Sequence, residues 1–509
     1  MAESASPSPA FCTLASIRSV ERAALARLPP GTLMERAGQA VADEADRILR
    51  RLPPATPVIS LAGPGANGAD ALLAALKLGE RGYAVRAHAI SDAIPTDSDS
   101  AEVHRRWRAR HGDPAPIEAL VPDVGASALV IDGLFGIGLA RPVEGAAAQV
   151  LLRLEQAGWP VLAVDVPSGI DPDTGAIVGG PSAVASRAIA TVTMIADKPG
   201  LHTGAGIAHA GRVVLASLGV EPPPAAGLSI DRAWARGRLA PRAKDSHKGS
   251  FGTVMIVGGS PGMEGAALLA ARGAQSAGAG KVIAAAPQGR PFDPGQPQLM
   301  SRCLGLSPSG VEGAFAGMSV VALGCGLGRS TAAADWVAAA LDTELPLVLD
   351  ADALNLCAET STLAANLAAR GAQAATVLTP HPLEAARLLG APVGEIQSSR
   401  IEAACRLARD YRSVVLLKGA GTVLAASDGR WGIVRGGSPA LATAGTGDVL
   451  AGVVAGVLCQ HPDSWEAAGI AAWAHAAAGE RWGEAHPMQR GLSAAGLAEL
   501  VTESLDEIA

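Results

Sequence analysis

The segment Ala442-Thr443-Ala444-Gly445-Thr446-Gly447-Asp448 runs directly into the apolar stretch Val449 to Leu458. Small residues let a backbone approach a phosphate closely. A helix starting there would offer unpaired N–H groups and a positive dipole end to an anion. Asp448 would sit in the first turn, placed to take a proton from a substrate hydroxyl. The same position also suits an acid that only complements the helix dipole. Lys418-Gly419-Ala420-Gly421-Thr422 follows an apolar run and suits a second nucleotide contact. It is not a Walker A loop, because the spacing and the Lys-Ser/Thr ending are wrong. Thr379-Pro380-His381-Pro382 follows a third run, with Glu384 opening the next helix. His381 is open to a structural or a substrate-contacting role.

The first half carries Gly63-Pro64-Gly65-Ala66-Asn67-Gly68 after a strand-like run. It fits G-x-G-x-x-G, and Asp92 could serve as the ribose acid of a dinucleotide site. Asp132 and Asp165 each end an apolar run, where ligands of parallel sheets bind. Both are also ordinary turn-capping acids. His475 with Glu480, Glu484 and His486 does not place four ligands on one helix face. Six cysteines are scattered without a Cys-x-x-Cys pair, so free thiols are expected and a zinc ribbon is not.

These residues need a scaffold. Strand-like runs at Pro57–Ala62, Ala84–Ala89, Ala128–Asp132 and Val161–Val166 alternate with helical segments, the first of them Ala69 to Arg81. Thr253–Val257, Val320–Leu323, Leu347–Leu349, Ala375–Leu378 and Val414–Leu417 repeat the rhythm. Such alternation predicts parallel sheets covered on both faces. Glu221-Pro222-Pro223-Pro224-Ala225-Ala226-Gly227 has linker composition. The expectation is therefore two three-layer, doubly wound α/β domains, residues 1–225 and 226–509.

Composition limits the function. The 509 residues carry a net charge of −7, with 49% hydrophobic and 3% aromatic side chains. That argues against disorder, a dedicated nucleic-acid binder and a base-stacking platform. Met1 to Ala10 has no signal-peptide pattern, and no apolar run approaches the roughly 20 residues of a membrane span. No membrane association and a cytoplasmic location are expected.

Taken in order, His247–Gly252, Gly258-Gly259-Ser260, Gly324–Gly328, Asp350–Asn355, the His381 stretch with Glu384, Lys418–Thr422 and Gly445–Asp448 resemble a known domain. It is the dehydratase domain of the NAD(P)H-hydrate repair enzymes, a ribokinase-like fold using ADP or ATP. The resemblance runs from Lys244 to about the C-terminus. It implies that Lys418, Gly419, Ala420, Gly421, Thr422, Ser438, Ala444, Gly445, Thr446 and Gly447 hold the nucleotide. It implies that Ala266, Gly326, His381 and Asp448 contact the hydrated dinucleotide. Asp448 would be the catalytic base, and Mg²⁺ would accompany the nucleotide. Bacterial members usually take ADP, which the resemblance therefore favours over ATP.

Leu33–Gly38, Gly63–Asp70, Asp132–Gly145, Val164–Asp171 and Lys198–Leu201 resemble the Rossmann-like NAD(P)H-hydrate epimerase domain over roughly residues 11–220. The resemblance implies substrate contacts from Ala66, Asn67, Gly68, Ala69, Asp70, Gly136, Ile137, Gly138, Leu139, Ala140, Arg141, Pro142 and Asp165. Asp165 would carry the proton. Asn67, Asp132 and Ser168 would ligate K⁺. The family's G-x-G-N-N-G-G-D-G has here lost one Asn and two Gly to Ala66, Ala69 and Ala71. Alanine costs roughly 1 kcal/mol wherever φ is positive, so strain is expected if this loop keeps such a conformation.

The implied function is bifunctional repair: interconversion of R- and S-NADHX and NADPHX, then dehydration of the S form at the expense of ADP or ATP. The partners would be these small molecules and further copies of the chain in a homo-oligomer, with no nucleic acid. A ribokinase-like vitamin or sugar kinase, an epimerase-like binding module and a Rossmann oxidoreductase are the other readings. The last leaves Gly445–Asp448 and Lys418–Thr422 unexplained.

Overall fold

A computed structural model describes residues 10–91, 98–122, 127–307, 311–371 and 373–508. Asp92 lies outside the described residues. The chain divides into two compact units, residues 9–227 and 228–509.

In the first unit a two-residue strand, β1 (Ala10–Phe11), precedes two helices, Leu14–Leu25 and Thr32–Leu49. The sheet then comprises β2 (Val58–Ala62), β3 (Val85–Ala89), β4 (Ala115–Pro116), β5 (Leu129–Gly133), β6 (Val161–Val164), β7 (Ala190–Met194) and β8 (Arg212–Ala216). Their order is β4-β3-β2-β5-β6-β7-β8, and every pairing is parallel. The chain steps outward from β2 in both directions, so β2 and β5 flank the topological switch point. Ala62 pairs with Gly133 there, which sets the loops after the two strands side by side.

Alternation along these strands explains the layers. Leu129 and Ile131 pack with Val41 and Ala45 of the Thr32–Leu49 helix on one face. Val130 packs with Val150 and Leu154 of the Gly145–Ala157 helix on the other. Burial on both faces is why the strands read as continuous apolar runs.

The second unit holds β9 (Gly227–Ile230), β10 (Thr253–Val257), β11 (Lys281–Ala286), β12 (Met300–Cys303), β13 (Val320–Leu323), β14 (Leu347–Leu349), β15 (Thr376–Leu378), β16 (Val414–Leu417), β17 (Val423–Ala425) and β18 (Trp431–Val434). They run in the order β9-β18-β17-β16-β15-β14-β13-β10-β11-β12. β17 is antiparallel to both β16 and β18, and the remaining pairs are parallel. This reversal departs from the expected all-parallel sheet. β16 returns through the short turn after Lys418 instead of a crossover helix, and a tight turn requires antiparallel strands.

Here too the two faces are separated residue by residue. Val254 and Ile256 join a core with helices Glu264–Ser276, Thr446–Leu458 and Ser464–Ala485. Met255 and Val257 join a second core with Thr331–Leu341, Ala351–Glu359 and Arg400–Tyr411. Helices Glu264–Ser276 and Thr446–Leu458 cross at small residues. A methyl on Gly452 would fall 1.8 Å from Ala270 O, and one on Gly273 would fall 2.3 Å from Val449 O. The crossing fixes where the latter helix begins, and its first turn carries Asp448.

Candidate active sites

In the second unit the site assembles where β13, β14 and β16 end. Lys418 follows β16, and its Nζ donates to Asp350 Oδ1 at 2.6 Å. Asp350 follows β14 and is buried. Asp448 lies in the first turn of the Thr446–Leu458 helix. Ligand atoms of Cys325, Asp350 and Asp448 lie within 4.8 Å of one another. A methyl on Gly447 would stand 3.5 Å from Lys418 Nζ, so the two glycine-rich segments meet at this ammonium. Gly445 caps the helix with φ of 89°, a conformation that favours glycine.

The charges are arranged unequally. Burial, then the neighbouring Asp350 carboxylate, push Asp448 up to about 6. Lys418 feels burial in the opposite sense, but Asp350 and Glu384 outweigh it and raise the ammonium. Burial, with Asp448 and Asp350 beside it, drives the Cys325 thiol well above its ordinary value. A protonated thiol is a poor Mg²⁺ ligand, and Lys418 already holds one oxygen of Asp350. This cluster therefore does not fit a resident magnesium ion.

Around this centre the other predicted residues fall into place unevenly. Ala266 and Gly326 are neighbours: a methyl on Gly326 would stand 3.0 Å from Ala266 Cβ. His381 caps the Pro382–Leu389 helix, and its ring accepts from the Leu383 and Glu384 N–H groups. Its Nε2 lies 3.0 Å from Glu384 Oε1. Burial would raise Glu384, but His381 and Lys418 hold it below its usual range. Gly419 and Ala420 are exposed, while Gly421 is buried. The Thr422 hydroxyl donates to Gly419 O. Ser438 caps Pro439–Leu441 and bonds Gln489, and Ala444 is exposed. Thr446 turns its hydroxyl inward to the carbonyls of Leu441 and Thr443 at 2.8 and 2.9 Å.

Three contributors were not singled out as site residues from the sequence. Asp350 ends a strand, the signal that marked Asp132 and Asp165. Arg400 is buried and donates to the carbonyls of Leu417 and Lys418 at 3.1 and 3.2 Å, propping the Lys418 loop from beneath. No sequence pattern announces it. His475 is half-buried, and its Nε2 lies 2.9 Å from Thr446 O. Burial pushes this ring down to about 4, so it stays neutral against the start of the Asp448 helix. Glu480 and Glu484 share its helix and His486 follows as the C-cap, stacked on Trp482.

In the first unit the loops after β2 and β5 frame an open cavity of about 960 Å³. Ala66, Asn67 and Asp70 line it, together with the run Gly136 to Arg141 and Asp165. Gly68 and Ala69 instead lie buried beneath, where a methyl on Gly68 would fall 2.1 Å from Gly63 O. Pro142 packs against Gly179. Ala66, Ala69 and Ala71 belong to the helix Ala66–Glu80, and none has positive φ. The strain expected from these alanines is absent, because a helix is where alanine is most favourable.

Asp165 itself has φ of 64°, unusual outside glycine. Its Oδ1 accepts from Lys198 Nζ at 2.6 Å and from Met194 N at 2.9 Å. Lys198 is fully buried and also bonds Thr193 Oγ1 and Met194 O. These contacts hold a strained strand end in one geometry, facing the cavity. Lys198 was legible only as part of a motif, because it comes 33 residues after Asp165.

Asp132 is buried and accepts from Ser168 Oγ at 2.7 Å, Ser168 N at 3.0 Å and Leu134 N at 3.2 Å. Burial pushes its carboxyl up, against those hydrogen bonds. Asn67 abuts the same segment, since a methyl on Gly136 would lie 3.1 Å from Asn67 Oδ1. Asn67 Nδ2 is buried without a hydrogen-bond partner. Six cysteines are free. Among the described residues no helix is long and apolar enough to cross a membrane.

Two doubly wound α/β units, each with a loop-built site at the carboxyl ends of its strands, define a two-site α/β protein. A family model described as NAD(P)H-hydrate dehydratase matches residues 254–502. One described as YjeF-related protein N-terminus matches residues 30–200. The bifunctional NAD(P)H-hydrate repair enzyme of Moorella thermoacetica is 35% identical, over 89% of this chain and 88% of its own. That of Coxiella burnetii is 33% identical, over 94% and 96%. A solved structure of the ADP/ATP-dependent NAD(P)H-hydrate dehydratase from Bacillus subtilis, co-crystallised with ATP and Mg²⁺, is 30% identical. It covers 55% of this chain and 97% of its own, with a TM-score of 0.48. The chain belongs to the family of bifunctional NAD(P)H-hydrate repair enzymes.

Proposed function

We propose that this chain epimerises R- and S-NAD(P)HX in its first unit and dehydrates the S form in its second, using ADP or ATP. The observation that carries the reading is the meeting of Lys418, Asp350 and Asp448 at a glycine-rich helix start. Nucleotide phosphates would lie on Lys418–Thr422 and on Ala444 to Gly447, where the ammonium and first-turn N–H groups face an anion. The hydrated ring would lie toward Ala266, Gly326 and His381.

Hydration leaves a hydroxyl on the carbon beside the ring nitrogen, and hydroxide leaves poorly. Asp448 takes the hydroxyl proton as the oxygen attacks the terminal phosphorus of the nucleotide. The nitrogen lone pair then expels phosphate, and loss of a proton from the adjacent carbon restores NAD(P)H. Lys418 compensates the charge that builds on the transferring group. Magnesium would travel on the nucleotide phosphates, and no step here depends on a protein-held ion.

In the first unit the cavity would hold the hydrated dinucleotide along Ala66, Asn67, Asp70 and Gly136 to Arg141. Asp165 would exchange the proton with the ring hydroxyl. Asn67, Asp132 and Ser168 present oxygens around one buried segment, and Asn67 Nδ2 is orphaned there. Amide oxygen and nitrogen are interchangeable by a flip. That donor set fits K⁺, which would neutralise the buried Asp132 and fix the loop after β5.

The test uses a mixture of R- and S-NADHX with ADP, then ATP, read as recovered NADH absorbance. Full conversion outpacing spontaneous epimerisation is the expected result. A fast phase stopping at the S fraction would leave only the dehydratase. No NADH with either nucleotide would overturn the reading and favour a kinase that keeps its phosphorylated product.

A further inference from the structure

The cavity of the first unit holds more acid than one proton carrier requires. Its charged lining comprises Arg18, Glu21, Asp70, Asp99, Arg141 and Asp165. Asp165 is ion-paired with Lys198. Asp70 is differently placed. It stands one turn into the Ala66–Glu80 helix, and its Oδ1 is buried with no hydrogen-bond partner. Glu21 approaches from the Leu14–Leu25 helix, with Arg18 nearly one turn before it. Of Asp165 and Asp70, both lining the cavity, one is an ion-paired carboxylate and the other has no partner on Oδ1.

Inverting a hydroxyl-bearing carbon bonded to nitrogen needs both a base and an acid. The least costly route opens the ring and closes it on the other face. A single carboxylate cannot accept the hydroxyl proton and donate to nitrogen in the same step.

We propose that Asp70 is the second proton-transfer residue of the epimerase, donating to the ring nitrogen while Asp165 takes the hydroxyl proton. This rests on the reading that the first unit epimerises NAD(P)HX. The O–H electron pair becomes the second carbon–oxygen bond of an aldehyde. The carbon–nitrogen bond breaks, its pair goes to nitrogen, and nitrogen takes the Asp70 proton. Rotation about the adjacent carbon–carbon bond turns the other aldehyde face to nitrogen. Closure returns the nitrogen proton to Asp70 and the Asp165 proton to oxygen. No oxidant, reductant or water is consumed. The charge environment agrees: burial, then Asp165 and Glu21, push Asp70 well above the usual carboxylate range. Burial and Asp165 also raise Glu21, against the pull of Lys198 and Arg18.

The experiment follows R/S interconversion of NADHX by chromatography, in the full chain without nucleotide, across pH. Asp70→Asn keeps the shape of a protonated carboxyl but has no proton to give. Its kcat should fall at least about 100-fold with KM within about threefold. Its dehydration of purified S-NADHX should be unchanged. Asp70→Glu should recover part of the rate. In the parent protein the rate should fall at alkaline pH as Asp70 ionises, and Glu21→Gln should move that limb to lower pH. In ¹⁸O-water the hydroxyl oxygen should be retained. An Asp70→Asn rate within threefold of the parent, a loss confined to KM, or label gained at every inversion would each overturn the proposal. If Asp70→Asn unfolds the first unit, Asp70→Glu decides: an unmoved alkaline limb overturns it. A parent protein that does not exceed spontaneous epimerisation would instead overturn the epimerase reading itself.

Discussion

Asp448→Asn should inactivate the dehydratase and stabilise the protein at the same time. Folding moves this carboxyl from an ordinary 3.8 to about 6, so the ionised form is penalised in the native state. Each pH unit of such displacement is worth about 1.4 kcal/mol, which makes the penalty about 3 kcal/mol at most. Some solvent contact screens it toward the lower side. The sign follows from the direction. The folded state holds the proton more tightly, so the Asp448 contribution is intact below pH 3.8 and is lost as pH rises through 6. Asparagine is neutral throughout. Its advantage should therefore be absent near pH 4 and reach its full value by about pH 7. For a domain of this size that is a rise of several degrees in melting temperature. Six of the eight tryptophans lie beyond residue 228, so fluorescence-monitored unfolding of the full chain reports chiefly on this unit. Loss of the base should lower kcat by about 10²–10⁴-fold. Parent activity should rise with pH through about 6, as the carboxylate forms. A stability gain of equal size at pH 4.5 and 8 would refute the electrostatic argument. A parent rate flat between pH 5 and 7 would refute the role as base.

Other perturbations test the remaining contacts. Lys198→Met leaves the largely buried Asp165 without its ammonium, and should cost about 3–5 kcal/mol in denaturant unfolding while abolishing epimerisation. Retained epimerase activity would remove Lys198 from the site. Arg400→Met strands the carbonyls under the Lys418 loop; KM for nucleotide should rise more than kcat falls, measured by steady-state titration with ADP. Gly452→Ala drives a methyl onto Ala270 O and should destabilise by about 1–3 kcal/mol, while displacing the Asp448 helix enough to lower kcat. Replacing K⁺ by tetramethylammonium should slow epimerisation, and Asp132→Asn should erase that dependence.

Much of this fold is legible in the sequence. β10, β13, β14 and β16 coincide with their apolar runs because strands buried on both faces cannot interrupt the run with polar residues. β8 was invisible for the converse reason. It is an edge strand with Arg212 and Leu215 exposed, and its composition is mixed. The Asp448 helix starts at Thr446, directly after Gly445, which supplies the left-handed turn. What sequence spacing does not carry is partnership across the fold. Asp350 and Lys418 are 68 residues apart, and their ion pair exists because β14 and β16 flank β15 in the sheet. That partnership underlies the proposed chemistry. Asp350 and Asp448 sit at the same strand ends within one cluster, yet the ammonium reaches only Asp350. Asp350 is thereby committed as a counter-ion, and Asp448 is left as the carboxylate with a proton affinity near neutrality. In the first unit Lys198 likewise pairs with Asp165, while Asp70 Oδ1 has no hydrogen-bond partner. In both halves a lysine placed by topology pairs with one acid of the site and leaves a second acid, proposed to move a proton, outside that ion pair.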